Sequence, residues 1–277
     1  MNAPSTIHAK SYHLLSAGLD DGLRSPVDLF SWSVRGTVSG LVNHASYIAN
    51  SRDARSCGAA RTPTARRFGE LVALDANPVA RLLLGAQSQE SLQLGWNRYN
   101  RKAPLAVDTE WTAEPEALRR QLRSGVDDDG FRRDTISACL EGLRESAARS
   151  KTPSARTLLA VWCALGEADR AVGDAIDCLY EEPAADMAAS ALWLGCSPRT
   201  LQRRLSRAGL NFSVLKQAVR IDVAGMLMRA PVAHSLTVIA QTAGFFDSAH
   251  FAHAWQQSCG LAPSAYRQLA ADMHSLR

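Results

Sequence analysis

MAASALWLGCSPRTLQRRL (187–205) and LTVIAQTAGFFDSAHFAHAW (236–255) decide how the whole chain is read, because one short pattern occurs in both. In the first stretch Met187, Ser190, Ala191 and Leu194 stand at i, i+3, i+4 and i+7, which is one face of a helix. Gly195 stops that helix. Ser197 and Pro198 open the next: a serine at the N-cap accepts a bond from a free backbone N–H, and a proline at the first helical position loses no intrahelical bond. Leu201 and Leu205, four apart, then face the core. In the second stretch Leu236, Ile239, Ala240 and Ala243 form the equivalent face, Gly244 stops the helix, and Asp247 or Ser248 caps its successor. There Phe251 and Trp255 point inward.

Each stretch is therefore a helix–turn–helix. A small residue at the inner position of each first helix (Ala191, Ala240) lets the second helix cross closely, and glycine at the turn accepts a positive φ. Between them FSVLKQAVRIDVAGMLMRA (212–230) places Leu215, Ala218, Ile221, Ala224 and Met228 on one stripe, as a long bridging helix requires.

These residues resemble the tandem helix–turn–helix DNA-binding domain of the AraC/XylS family of bacterial transcription regulators. The resemblance runs from about Arg170 to Gln268. It includes SPRTLQRRL, Arg220-Ile221 with Ala224, LTVIAQTAGF, and the closing Gly260, Pro263, Tyr266 and Arg267. It places a DNA-binding domain at 170–277, with one unit at about 186–208 and the other at about 236–259. It also implies a site about two helical turns long, promoter DNA and RNA polymerase as partners, and activation as the commoner mode.

Charge is placed accordingly. The chain has 277 residues, 31 basic against 27 acidic side chains and a net charge of +4, too little to argue for nucleic acid by itself. Between Pro198 and Arg229, however, the basic residues are Arg199, Arg203, Arg204, Arg207, Lys216, Arg220 and Arg229, and the only acid is Asp222. Arg and Gln are the side chains that reach guanine or adenine edges in two-point fashion. By the resemblance, Arg199, Gln202 and Arg203 fall at base-contacting positions; on helical geometry Arg204 and Arg207 meet phosphates, with Ser197 and Thr200 at the helix start. The second recognition helix lacks Arg and Lys, leaving Ser248, His250 and His253 to reach bases or phosphates. His250 and His253 have no third ligand nearby, so no metal is expected.

Upstream, LFSWSVRGTVSGLV (29–42), FGELVALDANPVARLLLG (68–85), LQLGWNRY (92–99) and APLAVDTEW (103–111) are short apolar stretches cut by Gly, Pro, Asn and Ser. They read as strands of a small sheet or barrel, although LVALDANPVARLLLGA could also hold a helix. RFGELVALDANP (67–78) resembles the turn–strand–turn of the cupin-like barrels that many such regulators carry as an effector-binding or dimerising domain. The histidines and carboxylate with which catalytic cupins hold a metal are absent, and His44 stands alone. From Glu114, PEALRRQLRSG (115–125), FRRDTISACLEGLRESAARS (131–150) and 155–182 have helical spacing. Ile136, Cys139, Leu140 and Leu143 suit either a dimer seam or packing on their own domain.

The expected fold is thus α+β in two domains: a β-rich sensing or dimerising domain, cupin-like by the resemblance, with helices (1–150), a linker helix region (151–169), and the all-α DNA-binding domain. SKTPSA (150–155) marks the boundary and GVDDDG (125–130) a loop. Arg52, Arg55, Arg61, Arg66 and Arg67 form an exposed basic loop or, alternatively, a pocket for an anionic effector. Trp32, Trp96, Tyr99 and Trp111 fill a core or line a barrel interior.

Several classes are disfavoured. Six cysteines without CxxC or zinc spacing read as reduced, mostly buried thiols, and a repair protein with a cysteine methyl acceptor would need companions for Cys57. No stretch is long and apolar enough for a membrane helix or signal peptide, so a cytoplasmic protein is expected. No phosphate loop and no nucleophile–base–orienter set can be assembled, so neither enzyme activity nor a cofactor is expected. The reading is a DNA-binding transcription regulator, expected to activate, under a small effector; the alternative keeps the DNA-binding role but controls it through a protein partner or homodimerisation.

Overall fold

A computed structural model of the chain describes residues 9–58, 62–112, 117–122, 128–149, 156–166, 169–230, 232 and 234–276. The expected boundary at 150–155, residues 125–127 of the expected loop, and Arg61 lie outside these.

Strand β1 (Lys10–Tyr12) leads directly into α1 (His13–Ala17). Then come α2 (Pro26–Val38), β2 (Leu41–Asn43), α3 (His44–Ser56), α4 (Ala65–Leu74), α5 (Pro78–Leu84), α6 (Gln89–Lys102), β3 (Val107–Thr112), β4 (Ala117–Leu122) and α7 (Gly130–Arg149). The remainder is helical: α8 (Thr157–Ala164), α9 (Arg170–Glu181), α10 (Met187–Trp193), α11 (Pro198–Arg207), α12 (Phe212–Arg229), α13 (Leu236–Thr242), α14 (Ser248–Cys259) and α15 (Pro263–His274). The strands make two antiparallel pairs, β1 with β2 (Tyr12 opposite Leu41) and β3 with β4 (Thr112 opposite Ala117).

The N-terminal region is therefore mostly helical among its described residues, not the β-rich or cupin-like barrel that its texture suggested. Three of the four stretches read as strands are helices. Their starts carry ordinary caps: Ser25 accepts from Asp28 N, Thr64 from Arg67 N, Asn77 from Val79 N and Ser88 from Ser91 N, with Pro26 and Pro78 opening α2 and α5. The motif at 67–78 is most of α4, its end, and the first residue of α5. Conversely, 117–122, read as helical, is β4, where Arg119 and Arg120 pair across from Glu110 and Thr109.

Helices α4 and α7 cross where glycine meets glycine. A Cβ on Gly142 would lie 2.4 Å from the Ala65 carbonyl oxygen and 2.6 Å from Gly69 N. The stripe Ile136, Cys139, Leu140 and Leu143 is buried and is used for packing within the chain.

The helices of the first half also form a bed for the second. Ser31 Oγ and Arg35 Nη2 on α2 donate to the Gly209 carbonyl at 3.1 and 2.8 Å. Asn77 Nδ2 donates to the Ser258 carbonyl (3.0 Å), Ser258 Oγ to the Thr37 carbonyl (2.6 Å), Tyr266 Oη to the Pro78 carbonyl (2.8 Å) and Ser91 Oγ to the Met273 carbonyl (2.9 Å). One continuous apolar core runs from Leu14 to Met273. All six cysteines are free; Cys139, Cys178 and Cys259 are buried, whereas Cys57 and Cys163 are exposed and Cys196 is half-buried, so burial holds for only half of them.

Candidate nucleic-acid interface

Helices α10 and α11 form one helix–turn–helix and α13 and α14 a second, and the two turns are built alike. Gly195 N donates to the Leu192 carbonyl and Cys196 N to the Ala191 carbonyl; Gly244 N donates to the Gln241 carbonyl and Phe245 N to the Ala240 carbonyl, all at 2.9–3.0 Å. Gly195 and Gly244 have φ +61° and +75°, the left-handed region where a side chain is strained. Both second helices are capped at the expected residues, Ser197 Oγ accepting from Thr200 N and Asp247 Oδ1 from His250 N. Ala191, Ala240, Leu201, Leu205, Phe251 and Trp255 are buried as the spacing required.

The turns differ in what surrounds them. A Cβ on Gly195 meets nothing within 4 Å, whereas one on Gly244 would lie 2.7 Å from the Pro183 carbonyl carbon and 2.9 Å from Ala184 N. That backbone is held in place: Arg220 Nε donates to the Pro183 carbonyl and Lys216 Nζ to the Ala184 carbonyl, each at 2.9 Å. Gly195→Ala is thus expected to cost about 1–2 kcal/mol for the backbone strain alone, and Gly244→Ala about 1–3 kcal/mol more for the clash. Denaturant unfolding of both variants measures the gap; equal costs would mean that the Pro183 segment yields.

Those contacts reassign part of the basic segment. Lys216 and Arg220 stitch α12 to the segment before α10, and Arg220 also lies over the Phe245 ring at 5.8 Å. Arg229 is half-buried and donates to Tyr266 Oη at 3.0 Å. Asp222 is buried as well. The outward charge that remains belongs to α11. Arg199, Arg203 and Arg207 are exposed at successive turns, Arg204 is half-buried, and none of the four forms an ion pair with a described carboxylate. Gln202 is half-buried and donates to Ser206 Oγ at 3.1 Å. Ser197 is exposed and Thr200 half-buried, with their hydroxyls 3.0 Å apart.

On α14, Ser248, His250 and His253 are exposed, and His250 packs edge-on against Phe245 at 5.4 Å. The sequence reading passed over Gln256 and Gln257, exposed on the same helix, and Phe246, whose ring is 92% exposed beside the cap Asp247. For the two glutamines the available signal was their position directly after the inward Trp255. Among the described residues no group of three or more His, Cys, Asp or Glu gathers to hold a metal.

The described arginines of 52–67 lie on two helices, and three of them are engaged within the chain. Arg52 and Arg55 lie on α3, Arg66 and Arg67 on the first turn of α4. Arg55 pairs with Asp129, Arg66 with Glu70, and Arg67 donates to the Leu23 carbonyl at 2.7 Å.

Two such units joined by one long helix make a tandem helix–turn–helix domain, a class built to read double-stranded DNA. Residues 191–269 match the family model described as a helix-turn-helix domain, and this part of the chain is of the AraC type. The crystal structure of transcriptional regulator CdpR from Pseudomonas aeruginosa is similar at 14% sequence identity and a TM-score of 0.33, covering 79% of this chain and 91% of that chain. No curated protein matches the sequence. Among the described residues no helix is long and apolar enough to cross a membrane.

Proposed function

We propose that the protein is a sequence-specific transcription regulator that activates promoters. Residues 170–277 read DNA, 151–169 connect, and 1–150 sense an effector and govern dimerisation. The observation that carries this reading is the pair of alike turns, combined with an α11 face that presents arginines with no carboxylate partner among the described residues. In this reading α11 and α14 enter successive major grooves. Arg199 and Arg203, with Gln202 once it releases Ser206, address base edges, while Arg204 and Arg207 hold phosphates and Ser197 and Thr200 meet the backbone at the helix start. Helix α14 contributes neutral readers, Ser248, His250, His253 and Gln257, and Phe246 offers an apolar ring to a thymine methyl or deoxyribose. RNA polymerase is the partner at the promoter.

The test is fluorescence anisotropy of the full chain on its own upstream region and on a scrambled duplex over a salt series. Tighter binding to the upstream duplex is expected. The slope of log K against log salt should be about −2 to −4, because only two to four arginines release counterions at about 0.9 each. Equal binding to both duplexes at every salt concentration would overturn sequence-specific recognition.

A further inference from the structure

The first half of the chain encloses a cavity that the DNA-reading surface does not use. It lies between β1, α3, α5, α6 and α7, a cavity of about 70 Å³ with an opening to solvent, several times the space that one water needs. Its walls are largely apolar, including Leu83, Trp96 and Leu143. Into this lining come polar atoms with nothing to bond. Tyr47 Oη, Tyr99 Oη, His44 Nε2, and Arg120 Nε and Nη1 are all buried without a hydrogen-bond partner, and their residues are all among those lining the cavity.

An orphaned buried polar atom carries its desolvation penalty with nothing to offset it. Five such atoms around one space are therefore the signature of a missing partner. They also specify it. Arg120 reaches Asp128 at 3.1 Å through Nη2, which leaves its other nitrogens free to donate. Tyr47 lies within the field of Arg120, as does His44, whose other nitrogen already bonds Ser11 Oγ at 2.8 Å. Burial, and then the charge of Arg132, push the His44 pKa down, so the imidazole is neutral at neutral pH and Arg120 is the charged donor of this set. Burial also pushes the Cys139 thiol in the wall up to about 12, which argues for reversible binding.

We propose that this cavity binds a small amphipathic carboxylic acid, its apolar body against Leu83, Trp96 and Leu143 and its carboxylate on Arg120 and Tyr47. Only the further role of that acid as an effector rests on the regulator reading above. The route to DNA is short: α5 forms one wall, Asn77 just before it bonds the Ser258 carbonyl on α14, and Pro78 at its start accepts from Tyr266 on α15.

Calorimetry on the full-length protein tests this with phenylacetate, octanoate and dodecanoate, each against its matching alcohol. At least one acid should bind saturably at one per chain, about tenfold or more tighter than its alcohol, as a charge-assisted contact provides. Arg120→Met should bring acid and alcohol to similar affinity, Tyr47→Phe should weaken the acid about threefold to tenfold, and Leu143→Trp should abolish both by filling the space. Circular dichroism confirms folding in each case. Saturable binding by none of the acids, or acid binding indifferent to Leu143→Trp and to both polar variants, would overturn the site. Operator anisotropy with and without the bound acid separates the two claims. An acid that binds without changing DNA affinity removes the effector role and leaves the site, and a protein that binds acid but no specific DNA refutes the regulator reading alone.

Discussion

Asp222→Ala is expected to lower the free energy of unfolding by about 3–5 kcal/mol, because three donors lose their acceptor at about 1–3 kcal/mol each. In the sequence this residue is the lone acid of a basic segment; in the fold it is 1% exposed and points into the body of the protein. Its Oδ2 accepts from Thr157 N at 2.8 Å and from the Tyr180 hydroxyl, and its Oδ1 accepts from Thr157 Oγ1 at 2.8 Å. Tyr180 Oη in turn accepts from Leu158 N at 3.0 Å. These are the first backbone donors of α8, whose own N-cap, Arg156, offers no side-chain acceptor. A carboxylate on α12 and a phenol on α9 thus cap a third helix. Alanine leaves three buried donors unpaired. Asparagine keeps one acceptor oxygen but turns an NH₂ toward donors, so Asp222→Asn should fall between alanine and wild type, and Tyr180→Phe should cost about 1–3 kcal/mol. Denaturant unfolding measures all three; an Asp222→Ala chain within about 1 kcal/mol of wild type would show that water satisfies the donors.

The contrast between the two halves explains which parts of the fold were legible. The helix–turn–helix units are specified by neighbours in sequence: a cap at Ser197 or Asp247, a left-handed glycine at 195 or 244, and apolar residues three and four apart. Reading them needs no partner from elsewhere, and α10, α11, α13 and α14 fall within the expected limits. In the first half the same residue types act at long range. Gly36, Gly69 and Gly95 fall within stretches whose texture suggests strands, yet each lies inside a helix where another element comes close. A Cβ there would meet His13 Cε1 at 2.1 Å, Ser146 Oγ at 3.3 Å and Met273 Sδ at 2.5 Å. A glycine required by close approach looks, in sequence, like a glycine required by a turn. For β4 the reverse occurred: Leu118 and Leu122 are four apart, which suits a helix or a strand, and only the pairing with β3 decides. The candidate site divides similarly. The exposure of Arg199 and Arg203 followed from helical spacing, whereas the internal use of Lys216, Arg220 and Arg229 depends on Pro183, Ala184 and Tyr266. The polar atoms of the enclosed cavity come from α3, α6 and β4, far apart in the chain.

The largest functional loss is expected from Arg199→Ala combined with Arg203→Ala. Each arginine that reaches guanine O6 and N7 is worth about 1–3 kcal/mol of discrimination, so the pair should weaken operator binding by about 2–6 kcal/mol, roughly a factor of 30 to more than 10⁴. Both side chains are exposed and without ion pairs to described carboxylates, one turn apart on the outer face of α11, so folding stability should stay within about 0.5 kcal/mol of wild type. The scrambled duplex discriminates base contact from charge. If these arginines address bases, the double variant loses most of its preference for the operator and approaches its own affinity for scrambled DNA. Arg207→Ala, at the far end of the same face, should instead weaken operator and scrambled binding alike and reduce the salt slope by about 1. His253→Ala on α14 removes a neutral reader and should cost less than either arginine. A double variant that weakens both duplexes equally would move Arg199 and Arg203 from the base edges to the phosphates, and specificity would then have to come from the neutral face of α14, where Gln257 becomes the residue to replace next.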